Sequence, residues 1–443
     1  MEKDPIMKDG GRLQAAIEVL DDVERHKRPV ADALKDWGLA HRFAGSGDRL
    51  AIGSLAFDAL RRKATNAHLM GDASPRAAVL ATYARLWGRG LDGLEAALAH
   101  PHAPAPLTDD ERRRLVADEA EALADAPDHV LGDFPEWLAP SLAALWGEAT
   151  VAEARALAGR APVDLRVNTL KGARHKVLAE LAHLGAVETA LSPLGLRLPD
   201  GGPTAKPPHI PSEAAYQEGR VEIQDEGSQI AALIAAPRPG DKILDLCAGG
   251  GGKSLALAAS LGADGRIFAH DNDKRRFGDF RDRIERAGAP NIEIRPPAKG
   301  DVLADLEGRM NIVVVDAPCT GTGTWRRRPD AKWRLRPNAL EARTKDQDHV
   351  LDAAARFAAH KGRIVYITCS VLMEENEDRV VAFLARHDGW RIANPLARLS
   401  PEMRDRLAPY VRRGAPGTPA LRLTPRTGDT DGFFVAVLER VES

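Results

Sequence analysis

Two stretches of this 443-residue chain end a run of β-branched residues in a polar cluster that contains a cysteine: NIVVVDAPCT (311–320) and RIVYITCS (363–370). The chain has three cysteines, Cys247, Cys319 and Cys369, and these runs hold two of them. An isolated cysteine is most often a small buried hydrophobe. Here both stand at strand ends with polar neighbours, Asp316 and Thr320 for the first, Thr368 and Ser370 for the second. The third belongs to ILDLCAGGGGKS (243–254), which reads as strand, glycine loop and helix. Glycines there let the backbone come close to a ligand at a helix N-terminus.

Three kinds of nucleotide loop could claim that stretch. A Walker phosphate loop needs a glycine five residues before Gly252, where Cys247 stands. The dinucleotide fingerprint read from Gly249 needs a third glycine where Ser254 stands. A loop for S-adenosylmethionine fits better. It wants an acid at the end of the first strand, met by Asp245, and one closing the second strand to hold ribose hydroxyls, met by Asp271. Asp271 could also cap the helix begun by KRRFGDF, and Asp301 in KGDVL could face the adenine or be a turn residue.

A thiol beside a methyl donor suits attack on an electron-poor pyrimidine. C5 of cytosine is not nucleophilic until a thiolate adds to C6 and turns the ring into an enamine. An acid near N3 stabilises the developing charge, and loss of the C5 proton then expels the thiol. One cysteine serves as nucleophile and the second suits the release step. In an open parallel sheet, ligands bind outside the carboxyl ends of the strands. Cys319 and Cys369 are therefore expected on the same edge as the glycine loop.

The elements that must position these groups follow from pattern. Residues 10 to about 148 carry apolar residues at helical spacing, as in RLQAAIEVLDDVERH and PRAAVLATYARLWGRG. Thr108, followed by Asp109, Asp110 and Glu111, starts one helix. Near residue 162 the texture changes: VDLRVNTL and LGLRLP read as strands around the helix RHKVLAELAHLG. From 221, KILDLCA, RIFAHD, IEIRP, NIVVVDA and RIVYITC alternate with helices, which indicates an α/β fold with a parallel sheet covered on both faces. GFFVAVLER adds a last strand. The expected domains are a helical 1–148, a small α+β 149–220 and a catalytic 221–443.

DAPCTGTGTWRRRPDAKW and YITCSVLMEENE resemble the paired motifs of RNA cytosine-5 methyltransferases of the Sun type, the family that includes ribosomal small-subunit methyltransferase B. LDLCAGGGGKS is similar to that family's cofactor loop, VEIQDEGSQ to the stretch before it, APVDLRVNTLK to its small domain and DGFFVAVLER to its last strand. Gln347 matches the glutamine of the helix after the tryptophan motif, and the N-terminal helices are similar to a NusB-type RNA-binding domain. The likeness covers roughly residues 130 to 440.

It implies a Rossmann-like methyltransferase sheet that uses S-adenosylmethionine on RNA, 16S ribosomal RNA before tRNA. It implies Cys369 as nucleophile, Cys319 as the group assisting release, and Asp316 against the cytosine and the cofactor. Cys247, Ala248, Gly249, Gly250, Gly251, Gly252, Lys253, Asp271 and Asp301 would bind the cofactor. The family's usual Ala-Ala-Pro-Gly-Gly-Lys is here Ala-Gly-Gly-Gly-Gly-Lys, a loop less pre-set for its ligand.

WRRRPDAKWRLR (325–336) sets six basic residues against one acid, with two tryptophans, a composition that suits phosphates and unstacked bases. Arg166 and Asn168 are weaker candidates to position RNA. The net charge of −2, from 62 basic and 64 acidic residues, neither advertises nor excludes nucleic acid. No apolar run is long enough to span a bilayer. Cysteine usage fits a reducing cytoplasm with no metal site, and a monomer is expected. The rival readings are a tRNA methyltransferase and a catalytically silent RNA-binding assembly factor. A DNA cytosine methyltransferase would place its nucleophile at Cys319 and has no use for the separate TCS cysteine.

Overall fold

The computed structural model describes residues 7–203, 205, 208–261, 264–413 and 419–441. The chain forms two compact units.

The first unit comprises the residues up to Arg160 together with Gly201–Pro207 and Trp325–Leu335. Its helices include Asp9–His26, Val30–Ala40, Ser46–Arg61, Lys63–Met70 and Pro75–Ala81. Leu13, Ala16, Ile17, Leu20 and Val23 recur at three- and four-residue steps and are buried along one face of the first helix. They share a core with Ile52, Leu55, Leu80 and Leu94. The helix start expected at Thr108 is a capping box: the Thr108 hydroxyl accepts the Glu111 N–H at 3.2 Å, and Glu111 accepts the Thr108 N–H at 2.8 Å.

Residues 325–335 overturn the reading of WRRRPDAKWRLR as an RNA-facing loop. Trp325, Arg326 and Lys332 are buried, and Trp333 packs against the helical core with its indole N–H on the Leu60 carbonyl at 2.6 Å. The Lys332 ammonium lies 4.9 Å from the Trp333 ring centroid. Burial lowers its pKa to about 8, against the opposing pull of Asp133. The rings that were to stack on bases are covered by protein, and of the stretch's arginines only Arg328 and Arg336 are exposed.

The second unit holds two sheets. Strands β1 (Val163–Val167), β2 (Val187–Glu188), β3 (Gly195–Leu198) and β4 (Val221–Ile223) form an antiparallel sheet in the order β2-β3-β1-β4. The large sheet comprises β5 (Lys242–Asp245), β6 (Arg266–His270), β7 (Ile292–Arg295), β8 (Met310–Asp316), β9 (Ala358–Thr368), β10 (Trp390–Ala393), β11 (Val411–Arg413), β12 (Pro419–Leu423) and β13 (Phe433–Arg440). Its order is β11-β12-β13-β9-β8-β5-β6-β7, with β10 also paired to β13.

The five expected strands are the parallel set β5 to β9, and the others pair antiparallel. From β5 the chain runs outward through β6 and β7, then returns to β8 on the other side. The resulting switch point, at the carboxyl ends of β5 and β8, is where such sheets bind ligands. Ile312, Val313, Val314 and Val315 are fully buried, as a strand covered on both faces requires. Among the described residues no helix is long and apolar enough to cross a membrane, and no group of three or more metal-ligating side chains occurs.

Candidate active site

β5 ends at Asp245, and the chain passes through Cys247 and the glycines into the helix Gly252–Leu261. Gly249 and Gly251 take left-handed φ angles of 56° and 82°. A Cβ on Gly251 would lie 1.8 Å from the Phe280 ring, so that position admits only glycine. Asp271, one residue past β6, ties the loop to the neighbouring strand end: it accepts the Gly249 N–H at 2.9 Å and the Asp273 N–H at 2.9 Å, and pairs with Arg276 at 3.2 Å. The cap considered for Asp271 falls to Asp273, which accepts the Arg275 N–H at 3.1 Å. The Arg275 guanidinium holds the Asp273 pKa down to about 2.

Asp245 is fully buried. One carboxyl oxygen accepts from the Ser254 hydroxyl at 2.6 Å and the other has no partner. Burial raises its pKa to about 7; the Ser254 bond opposes the shift and the Asp316 charge adds to it. An aspartate in the unfolded chain titrates near about 3.9. Between about pH 4 and 7 the folded protein therefore holds a proton that the unfolded chain has lost, and stability falls as pH rises through that window. Asp245→Asn should remove this loss. The variant's thermal midpoint, measured against the parent's, is expected to gain from pH 5 to about 7 and then level off. A constant difference would show that Asp245 is ionised throughout.

Lys253, in the first turn of the same helix, reaches the β8 end: its ammonium donates to Asp316 at 2.7 Å and stands 5.4 Å from the Phe433 ring centroid. Burial works against the charged ammonium, but Asp316, with Cys369 and Asp245, outweighs it and raises the Lys253 pKa.

The register of β8 and β9 sets Asp316 opposite Ile367. Three residues beyond the one and two beyond the other, the Cys319 and Cys369 sulfurs come within 3.4 Å. The backbone beyond Cys319 is pinned there too. The Gly323 N–H donates to the Cys369 carbonyl at 2.9 Å and the Gly432 N–H to the Gly323 carbonyl at 2.8 Å. A Cβ on Gly323 would lie 2.3 Å from the Gly432 oxygen, so TGTG and DGFF need glycine where they meet. The hydrogen bond that Cys319 shares with Cys369, then burial and the charges of Cys369 and Glu375, push the Cys319 thiol well above its usual range. The Glu375 charge therefore acts on the Cys319 thiol.

The structure thus gathers Asp316, Cys319, Cys369, Lys253 and the loop from Cys247 around one sheet edge. Asp301 is placed otherwise. It is exposed after β7, accepts the Leu303 N–H at 3.0 Å and pairs with Arg356 at 2.5 Å. Among the described residues, no hydrogen bond joins it to the glycine loop. Arg166 and Asn168 are buried, donating to Gln224 at 2.6 Å and to the Gly219 and Ala287 carbonyls at 2.9 and 2.8 Å. Sequence reading gave no role to Glu375, a buried carboxylate that accepts from Thr320 and Gln347. Its signal was its place in the MEENE run after TCS.

A glycine loop at the switch point of this sheet defines a Rossmann-like methyltransferase. Residues 232–439 match the family model described as 16S rRNA methyltransferase RsmB/F, and residues 134–205 match the ferredoxin-like domain of the RsmF/B-like methyltransferases. The chain is 33% identical over 316 residues to the probable ribosomal RNA small subunit methyltransferase B of Synechocystis sp., a match covering 69% of this chain and 67% of that protein. It is 31% identical over 306 residues to ribosomal RNA small subunit methyltransferase B of Citrobacter koseri, covering 69% and 66%. The matched region is about two thirds of each relative's length. NSun6 from Pyrococcus horikoshii, solved with SFG, shares the fold at a TM-score of 0.60 and 22% identity, over 71% of this chain and 100% of that one. This chain belongs to the RsmB/F methyltransferase family.

The cofactor of the family is S-adenosylmethionine, and the residues present fit it. The unpartnered buried oxygen of Asp245 suits a cationic amino group. The Gly249 position opens on space, with no atom within 4 Å of where a Cβ would stand. Asp271 stands at the second strand end, where ribose hydroxyls are held in such folds.

Proposed function

We propose that the protein methylates C5 of a cytosine in small-subunit ribosomal RNA through a covalent bond between Cys369 and C6. The observation that carries this reading is the thiol pair, 3.4 Å apart at adjacent strand ends, with the Glu375 carboxylate acting on Cys319 and the Lys253–Asp316 pair at the same sheet edge. Glu375 favours the proton on Cys319, which leaves Cys369 as the nucleophile. The Cys369 thiolate adds to C6, and the C5=C6 electron pair shifts into the ring toward N3, which is protonated through Asp316 by the Lys253 ammonium that donates to it at 2.7 Å. S-adenosylmethionine, when bound, supplies an electrophilic methyl group for C5. A solvent-borne base then takes the C5 proton, the double bond reforms, and the C6–S bond breaks to return Cys369 as thiolate, with the Cys319 S–H, 3.4 Å away, donating to the departing sulfur. The cytosine must leave any base stack for its ring carbons to be reached.

The names and coverage of the curated relatives support ribosomal RNA over tRNA as substrate. RNA contact by the helical N-terminal region, residues 1–148, belongs to the same reading. Bisulfite mapping of RNA from cells lacking the protein tests it. A cytosine in 16S ribosomal RNA is expected to lose its protection and to regain it with the parent gene but not with Cys369→Ala. A lost site in tRNA would replace the substrate, and no lost site in any RNA would overturn the activity.

A further inference from the structure

The peptide units on both sides of Cys319 are gripped by two buried side chains from elsewhere in the sequence. Gln347, on the helix Pro337–Phe357, donates from Nε2 to the Pro318 carbonyl at 2.9 Å and to Glu375 Oε1 at 3.0 Å. Glu375 Oε1 also accepts the Thr320 N–H at 2.8 Å, and Oε2 accepts the Thr320 hydroxyl at 2.5 Å. Because both partners of the Gln347 amide nitrogen are acceptors, the orientation of that amide is fixed. The carbonyl of Glu375 accepts from the Tyr366 hydroxyl at 2.6 Å, which ties the clamp to β9, the strand that ends at Cys369. Gln347 and Glu375 are fully buried. The Cys319 loop is thus held in place by the element that carries its partner thiol.

A buried carboxylate does more than hold a loop. Its charge is screened little and acts on the nearest titratable group. The Cys319 sulfur lies 3.4 Å from that of Cys369, and Glu375 holds the next residue, Thr320, and acts by its charge on the Cys319 thiol. We propose that Glu375 is a positioning residue that divides the work between the two thiols. With Gln347 it fixes Cys319 opposite Cys369, and its charge keeps the proton on Cys319 so that Cys369 is the nucleophile. The assignment of the chemical steps rests on cytosine methylation, while the division of the proton does not. Without Glu375 both thiols would compete for the thiolate and the release step would lose its poised partner.

The test is the pH dependence of iodoacetamide alkylation at each cysteine, followed by peptide mass mapping on the full-length protein without RNA. Only the thiolate reacts, so each curve reports one sulfur. In the parent, Cys369 is expected to react at least about tenfold faster than Cys319 at neutral pH, the ratio that one pKa unit produces. In Glu375→Gln the Cys319 curve should move to lower pH by about one unit while the Cys369 curve stays. Gln347→Met keeps the carboxylate and frees Pro318; it should speed Cys319 without moving its midpoint, which separates the grip from the charge.

With substrate RNA, Glu375→Gln should accumulate a covalent adduct, as Cys319→Ala should. An unmoved Cys319 curve in Glu375→Gln, or a parent in which Cys319 reacts first, overturns the proposal. Should Glu375→Gln lose the parent's thermal transition, Glu375→Met with Thr320→Val removes the charge together with its hydroxyl donor: the Cys319 curve must again move to lower pH, and an unmoved curve overturns the idea. A parent that forms no RNA adduct would defeat cytosine methylation and leave the alkylation result standing.

Discussion

Cys369→Ala is expected to lower methyl transfer by at least about 10³-fold and to leave no covalent RNA adduct, while Cys319→Ala accumulates one. The two substitutions remove the same atom, so the contrast comes from position alone. Cys369 directly follows β9, with its sulfur 3.4 Å from that of Cys319. Without it nothing adds to C6, and C5 stays unreactive toward an electrophile. Cys319 lies where Glu375 and Cys369 keep its proton on. Without it, addition and methyl transfer can proceed, but expulsion of Cys369 loses its partner and the adduct persists. A denaturing gel with labelled RNA reads both outcomes. An adduct that needs Cys319 and survives without Cys369 would reverse the roles, and methylation by the double variant would sink the covalent route altogether.

Arg422→Ala is expected to cost about 3–5 kcal/mol of stability, the largest loss from a single side chain away from the thiols. The Arg422 guanidinium is buried on β12, where it donates to both oxygens of Glu377 at 2.6 and 2.7 Å and to the Val371 carbonyl at 2.7 Å. Both partners of the pair are less than a tenth exposed. Truncation leaves the Glu377 carboxylate and a carbonyl two residues past Cys369 buried without a partner, and such groups carry their full desolvation penalty. The thermal midpoint should fall on the order of 10 °C. Arg422→Met with Glu377→Leu should recover much of the loss, because no buried charge then stands alone. A single-variant loss below about 1 kcal/mol would mark the pair as effectively solvated.

The parallel sheet and its reactive edge were legible because each signal is local. The β-branched runs are continuous where a strand is covered on both faces, and the cysteines follow directly at the strand ends. Strands β10, β11 and β12 left no such mark: they are short and pair antiparallel, and β12, though buried, is interrupted by Arg422. Glu375 was hidden for a different reason. Its partners Thr320 and Gln347 are 55 and 28 residues away, and only the fold brings them together. The stretch 325–336 misled because tryptophans among lysines and arginines look alike whether they meet a nucleic acid or anchor a buried segment. Lys332 over Trp333, with Asp133 acting on it, satisfies inside the protein the contacts that were assigned to RNA. Asp271 and Asp273 differ by two positions, and sequence spacing cannot say which caps the following turn.

The helical unit takes its last piece from residues 325–335, yet the rest of it is nearly complete by Arg160. A ribosome adding about 5–20 residues per second spends roughly ten to thirty seconds between those points. Throughout that interval the place for Trp325, Lys332 and Trp333 stands vacant, and Asp133 lacks Lys332, the stronger of the two cations that act on it. The N-terminal half is born first but is finished only after the segment carrying Cys319 has been made. Nascent-chain folding in this protein therefore cannot proceed one unit at a time from the N-terminus, and a truncated product that stops before residue 325 would leave its helices with an open core.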